Sequence, residues 1–303
     1  MLQTFKGKIT WIDLLNPSLE ELDYLKKNYQ IHPLVLEELK LPSARSKAEK
    51  YNDYIFIVLH FPQWDPQCQT SRPFELDIIL TKDYLITASY QEKVEMREEL
   101  MEKIYAKDFE ERYLNSTTLE LFYFIVENFI EFAMREIAHI NEKIDNISQK
   151  IFSGGEFKFI KEIALAKRDV LDFRRIYRLL KEILSSLTRL GPRVFGEDSR
   201  IYFDDLLGDS LKVENAIENF ADTIEALEQT NNSLIENRIN TLTRIYTILS
   251  FITWPTLLII SSFQMNAKYN PISGLPLDYF LMVAIALIPS LIFYFIIKRK
   301  KII

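Results

Sequence analysis

The stretch Ile245–Ala267, IYTILSFITWPTLLIISSFQMNA, runs 23 residues without a charged side chain. As an α-helix, at about 1.5 Å per residue, it is long enough to cross the roughly 30 Å hydrocarbon core of a bilayer. Its polar side chains are not scattered. Alternating steps of three and four, begun just upstream, give Asn240, Thr243, Thr247, Ser250, Trp254, Leu257, Ser261 and Gln264, so six of these eight positions are Asn, Thr, Ser or Gln. Isolated Ser and Thr are common in membrane helices, where they bond back to helix carbonyls or hold helices together. A continuous stripe is different: lipid offers its hydroxyls and amides no partners, so it wants water or other helices beside it, as in a pore lined by several copies. Trp254 and Leu257 would then form bulky apolar rings, the kind of constriction that gates a narrow pore by dewetting.

A second charge-free segment, Tyr279 to Ile297, is 19 residues long and is followed directly by Lys298, Arg299, Lys300 and Lys301. The excess of cations places that tail in the cytoplasm. The N-terminus, MLQTFKGKITWID, has no apolar core of a signal peptide and no transit-peptide character, so the large N-terminal part is also expected in the cytoplasm. Two spans, about 245–265 and 279–297, with both ends inside, leave a short external loop near 264–278. With 303 residues, 48% hydrophobic and 26% charged, the chain fits a globular part plus a small multi-pass membrane part rather than a polytopic carrier.

Upstream, residues 1–115 read as an α/β domain. Lys8–Leu14, Asp53–Phe61, Phe74–Leu80 and Tyr84–Ala88 are rich in β-branched and aromatic residues and predict strands. Asn16-Pro17 predicts the N-cap and first position of a helix through Tyr29, and a second helix is expected from Pro33 to Lys40. Residues 116–243 read as a long-helix stalk. One helix is expected over Ser116–Phe152, ended by Ser153-Gly154-Gly155, and a basic one over Glu156–Leu190, ended by Gly191-Pro192. A third starts near Tyr202, meets no Gly or Pro between Gly208 and Pro255, and is expected to enter the membrane part (244–303) unbroken.

Along that third helix, Val213, Ile217, Phe220, Ile224, Leu227, Asn231 and Leu234 are spaced 4, 3, 4, 3, 4, 3, a coiled-coil-like seam that needs a partner. From Glu197 to Glu236 there are eleven acids against two bases, with Glu214, Glu218, Asp222 and Glu225 along one face. Such a face is solvated, draws cations, or packs against the basic preceding helix.

Phe263-Gln264-Met265-Asn266 closes the first span, and here the chain resembles the CorA family of divalent metal ion transporters, whose members end the first of two C-terminal spans with Gly-Met-Asn. The likeness extends over nearly the whole chain: the strand LDIILTKDYLITAS, the helix AKRDVLDFRRIYRLLKEILSSLTR, the YFDD entry to the stalk, NRIN before the membrane, Pro255 within the span, and the basic tail. The resemblance implies an α/β cytoplasmic domain, a long α-helical stalk and two C-terminal transmembrane helices, assembled in the plasma or inner membrane as a funnel-shaped homopentamer around one pore. It implies Mg2+, or Co2+, Ni2+ or Zn2+, as the transported ion, with no covalent cofactor.

By the same resemblance, Gln264, Met265 and Asn266 stand at the selectivity motif, Asn266 receiving a hydrated cation at the outer mouth and Asn240 lining the cytoplasmic end. Asp205, in its YFDD setting, matches an acid that helps bind regulatory metal between subunits; its partner is left among Glu95, Glu98 and Glu99. Oxygen ligands of this kind suit hard cations. Two departures stand out. Gln264 occupies the family's Gly position, and Lys268 sits in a loop that usually carries acids, leaving Asp278 as its acidic residue. Five lysines at the mouth would oppose cation entry, whereas lysines snorkelling to lipid headgroups would not.

Other chemistries are not signalled. One cysteine, Cys68, rules out an intramolecular disulfide. The seven glycines form no phosphate-binding loop, and His32, His60 and His139 have no metal-ligand spacing. Neither an enzyme nor a nucleic-acid partner is expected. The alternative reading is a scaffold kept for sensing or assembly with little conduction, motivated by Gln264 and Lys268.

Overall fold

The computed structural model describes residues 1–105, 109–152, 159–264 and 277–299. The chain divides into two compact units, Met1–Gln229 and Thr230–Ile303.

The first unit is built on a six-stranded sheet in the order β1-β2-β6-β5-β4-β3. Its strands are β1 (Leu2–Lys6), β2 (Thr10–Leu15), β3 (Lys47–Lys50), β4 (Ile55–Asp65), β5 (Thr70–Leu80) and β6 (Tyr84–Ser89). β2 and β6 run parallel and the other pairs antiparallel. β4 reads IFIVLHFP without polar alternation because both faces of the sheet are covered. On one face Ile12, Leu14, Phe56, Val58, Ile79, Ile86 and Ala88 pack against α1 (Leu19–Asn28) and α2 (Pro33–Glu38). On the other, Phe61 and Phe74 meet Phe129 of α4 (Thr118–Phe152) edge-on, with ring centroids 5.1 and 5.7 Å apart.

Several sequence-based boundaries shift. Strands β1 and β3 were not expected: LQTFK is only half buried and KAEK is charged, as suits edge strands that must resist further pairing. The first helix starts later than Asn16-Pro17. Ser18 is its N-cap, in a reciprocal capping box with Glu21, while Asn16 takes φ +47° ahead of it. His32 caps α2, its ring accepting from the Leu34 amide. A short helix, α3 (Glu95–Ile104), was also unforeseen; it buries Met96, Leu100 and Ile104.

The long helices are α4, α5 (Ile160–Leu190) and α7 (Arg200–Gln264), with the short α6 (Pro192–Phe195) between the last two. The expected break at Ser153-Gly154-Gly155 lies outside the described residues. The heptad seam is buried within the first unit at Val213, Ile217, Ile224 and Leu227. Each fully buried aliphatic there is worth about 1.5–3 kcal/mol. Its neighbour is α5, placed antiparallel by Lys181–Glu214 at 2.8 Å, Arg174–Glu218 at 3.1 Å and Lys167–Glu228. The acidic face therefore divides: Glu214 and Glu218 pair with the basic helix, while Asp222 and Glu225 are exposed. Pairs that remain this open to solvent, two part-buried and one exposed, add little stability each, so the apolar seam holds the helices and the charges set their register.

The second unit contains the rest of α7 and α8 (Asp278–Arg299). Both are long and apolar enough to cross a membrane, and they are almost wholly uncovered by protein. α7 continues through Pro255 and α8 through Pro289.

Candidate functional site

On a helix of roughly 100° per residue the positions from Asn240 to Gln264 in the stripe fall within about a third of the circumference. Among them Trp254 and Leu257 are 67% and 57% exposed, and Asn240, Thr243, Thr247, Ser250, Ser261 and Gln264 are all exposed. The contacts of α7 with α8 come from elsewhere: Thr256 donates to the Ala286 carbonyl, and Ser290 to that of Ile252. Ile252 and Thr256 lie on nearly the opposite side from the middle of the stripe, roughly 160° round the helix. The stripe is thus turned away from its own second membrane helix. In the single chain, Thr247 donates to the Thr243 carbonyl at 2.7 Å and Ser250 to that of Tyr246 at 2.9 Å. These back-bonds satisfy the hydroxyl protons and leave oxygen lone pairs outward for water or a hydrated ion. Met265, Asn266 and Lys268 lie outside the described residues, and Asp278 is the first residue of α8.

Asp205 sits one turn into α7 and is exposed. The hydroxyl of Tyr123 on α4 donates to its Oδ2 at 2.6 Å and also lies 2.9 Å from Oε1 of Glu127. One proton faces two carboxylates, so it serves one at a time. Burial, with the hydrogen bonds to Asp205 and Glu127, pushes the Tyr123 hydroxyl far above the usual phenol range. Beside it Tyr202 donates to Glu120 at 3.4 Å, its ring edge-on to that of Tyr123. The three glutamates suggested as partners for Asp205 are on α3. Glu99 pairs there with Arg135, and Glu95 and Glu98 are exposed. Within the chain Asp205 thus meets Tyr123 and, through it, Glu127. Neither was singled out from the sequence, where only their spacing of four on one helix hints at a shared face. Among the described residues no group of three or more His, Cys, Asp or Glu could hold a metal ion.

The remaining candidate ligands have structural partners. His60 is buried, its Nε2 donating to the Ser43 carbonyl at 3.0 Å and its Nδ1 lying 2.8 Å from Ser46 Oγ. His139 is exposed on α4. The Cys68 sulfur accepts from Arg72 at 2.8 Å in the β4–β5 turn. Buried Asp169 takes the Ser71 amide and hydroxyl, both at 2.8 Å, and pins α5 to that hairpin.

Comparison with known proteins agrees with this layout. The family model of the CorA-like Mg2+ transporter protein matches residues 6–299. A cobalt/magnesium transport protein CorA of Thermotoga maritima is 24% identical over 96% of this chain and 83% of its own length. A putative metal ion transporter of Bacillus subtilis, YfjQ, is 22% identical over 95% of this chain and 88% of its own. Among solved structures, the complete CorA magnesium transporter of Methanocaldococcus jannaschii superposes with a TM-score of 0.80 at 20% identity, covering 96% of this chain and 90% of that one. The full-length CmaX protein superposes at 0.74 and 15% identity, over 96% and 88%. These structures share the fold, an α/β domain with long helices and two C-terminal apolar helices, and with a match spanning residues 6–299 the chain belongs to the family of CorA-like Mg2+ transporter proteins.

Proposed function

We propose that five copies of this chain form a channel for divalent cations, with Mg2+, or a neighbour such as Co2+, Ni2+ or Zn2+, as substrate. The observation that carries this reading is the unbroken helix α7, whose hydroxyl and amide stripe faces away from α8 and is exposed in the single chain. Five such stripes around an axis give a hydrophilic wall within a lipid-facing ring of α8 helices. The wall runs from Asn240 at the cytoplasmic end to Asn266 at the outer mouth, with Trp254 and Leu257 as the apolar constriction. The division into a cytoplasmic domain (1–115), a stalk (116–243) and a membrane domain (244–303), with both termini in the cytoplasm, follows from this arrangement. The chain is a transporter, not an enzyme: the family model supports ion movement, and no bond is made or broken in that work.

Regulation is assigned to Asp205. Intracellular metal bound between this carboxylate and an acid of the adjacent subunit holds the subunits together and favours the closed pore; depletion shifts the balance to the open one. Gln264 and Lys268 then tune the mouth, Gln264 by placing side chains where the Gly-Met-Asn motif of the resemblance calls for a glycine.

Flux of Mg2+ into liposomes tests the reading. The native chain is expected to conduct and Asn266→Ala to lose most of the flux; equal flux in both removes the pore assignment. No native flux, with conduction appearing only in Gln264→Gly or Lys268→Glu, would instead make the chain a non-conducting scaffold or sensor.

A further inference from the structure

Each membrane helix carries a proline followed at once by a hydroxyl residue, Pro255-Thr256 in α7 and Pro289-Ser290 in α8. Proline has no N–H, so the carbonyls of Phe251 and Ile285, four residues earlier, lose their helical donor; the carbonyls that receive the two hydroxyls are the next ones along, of Ile252 and Ala286. The two hydroxyls do not behave like the others on α7. Thr247, Ser250, Thr253 and Ser262 each donate back to their own carbonyl four residues earlier. Thr256 and Ser290 instead exchange partners. Thr256 donates at 3.1 Å to the carbonyl of Ala286, four residues before Ser290. Ser290 donates at 2.6 Å to the carbonyl of Ile252, four residues before Thr256. The two side-chain oxygens also face each other, either able to donate, so two protons are shared among three contacts. Ala286 is only 3% exposed, and its small side chain lets the backbones approach. Phe251, the residue before Ile252, stacks on Phe293 with centroids 6.2 Å apart.

From this reciprocal exchange we infer that Thr256 and Ser290 clamp the membrane part of α7 to α8, so that the two helices of one chain move as a single body when the pore opens and closes. The inference rests on the pore reading above. Both bonds need the same close approach of the two backbones at Ala286, so separating the helices breaks them together. Opening then has to occur by sliding or tilting between hairpins of neighbouring chains, with the stripe carried along rigidly. Thr256 and Ser290 are positioning residues: they lie on the side of α7 away from the stripe and never meet the ion.

A covalent lock tests this directly. In full-length protein with Cys68→Ser, Thr256→Cys and Ser290→Cys place two sulfurs where the oxygens now touch, within disulfide reach. The disulfide is expected to form on mild oxidation. Mg2+ flux into liposomes is expected to persist in the oxidised protein with the half-closing internal Mg2+ concentration of the native chain, whereas the reduced protein, lacking both hydroxyls, is expected to shift as the single variants below do. Failure to cross-link overturns the geometry. Cross-linking that blocks flux, reversed by reductant, overturns the single-body motion. In a second arm, Thr256→Val and Ser290→Ala are each expected to shift the half-closing Mg2+ concentration by about two- to tenfold, with the double variant no further shifted and Thr256→Ser restored to the native value. Multiplying or absent single effects would also count against the clamp. Native protein that carries no Mg2+ would remove the pore reading and the clamp with it, whereas native flux with a blocked cross-linked form removes the clamp alone.

Discussion

Replacing Tyr123 by Phe deletes one oxygen and leaves the ring packed against Tyr202. In the native chain the Tyr123 hydroxyl occupies Asp205 Oδ2 at 2.6 Å and sits 2.9 Å from Glu127. A divalent cation that binds through Asp205 has to compete with that hydrogen bond, because a carboxylate lone pair cannot serve both. The site is exposed, so the net worth of the bond is taken at the ordinary 0.5–1.5 kcal/mol rather than the larger buried figure, about a two- to tenfold change in affinity. Tyr123→Phe is therefore expected to lower by that factor the Mg2+ concentration that half-protects the full-length protein, in detergent or nanodiscs, against heat or trypsin. Asp205→Asn is expected to abolish the Mg2+ response. The test separates two roles for the tyrosine. If it held Asp205 in place for the metal, the variant would need more Mg2+, and a raised or unchanged midpoint refutes the competition argument.

Two further expectations concern buried carboxyls of the first unit. Asp13 is 4% exposed and is held by Arg97 at 2.5 Å and Thr87 at 2.6 Å, with the Trp11 indole donating to Thr87. Burial raises its pKa and these partners pull it back only in part. Arg97→Met leaves the carboxyl without its cation and is expected to cost about 3–5 kcal/mol, partly recovered by adding Asp13→Asn. With the cation gone, the folded state holds its proton to higher pH still. The variant should therefore lose stability more steeply than native protein as pH rises from acid to neutral, read by urea titration of tryptophan fluorescence; a double-mutant cycle with no coupling would refute this. Asp77 is 2% exposed beside Glu75, with Tyr90 donating to it at 2.6 Å. Burial foremost, and the neighbouring Glu75, hold its pKa well above the carboxylate range. A raised folded pKa means stability that is full at low pH and is lost as pH rises through it, so Asp77→Asn should flatten that loss as pH rises above the ordinary carboxylate range. Parallel thermal-unfolding curves for the two proteins above that range would refute it.

Much of the membrane part was legible from local sequence. A charge-free run of 23 residues, a polar stripe at steps of three and four, and a seam from Val213 to Leu234 all report what surrounds a helix, and helical periodicity writes that into adjacent residues. The seam's need for a partner was legible too, and α5 supplies it. Edge strands β1 and β3 were not, because KAEK has no strand signal of its own and becomes a strand only by pairing with β4. At the first helix two valid start signals lay side by side, and the Ser18–Glu21 capping box prevailed over Asn16-Pro17 because it satisfies two backbone donors at once.

What the sequence determined by itself is the inventory: two membrane-length helices, a stripe on the first of them, a stalk with an apolar seam, and an α/β domain. Which residues meet across the fold was decided only by tertiary structure. Tyr123 and Asp205 are 82 residues apart, and Thr256 and Ser290 are 34 apart, each pair joined by hydrogen bonds shorter than 3.2 Å through side chains or the partner's helix. Such contacts depend on the rotation and depth of two packed helices, quantities set by the whole interface and carried by no local pattern.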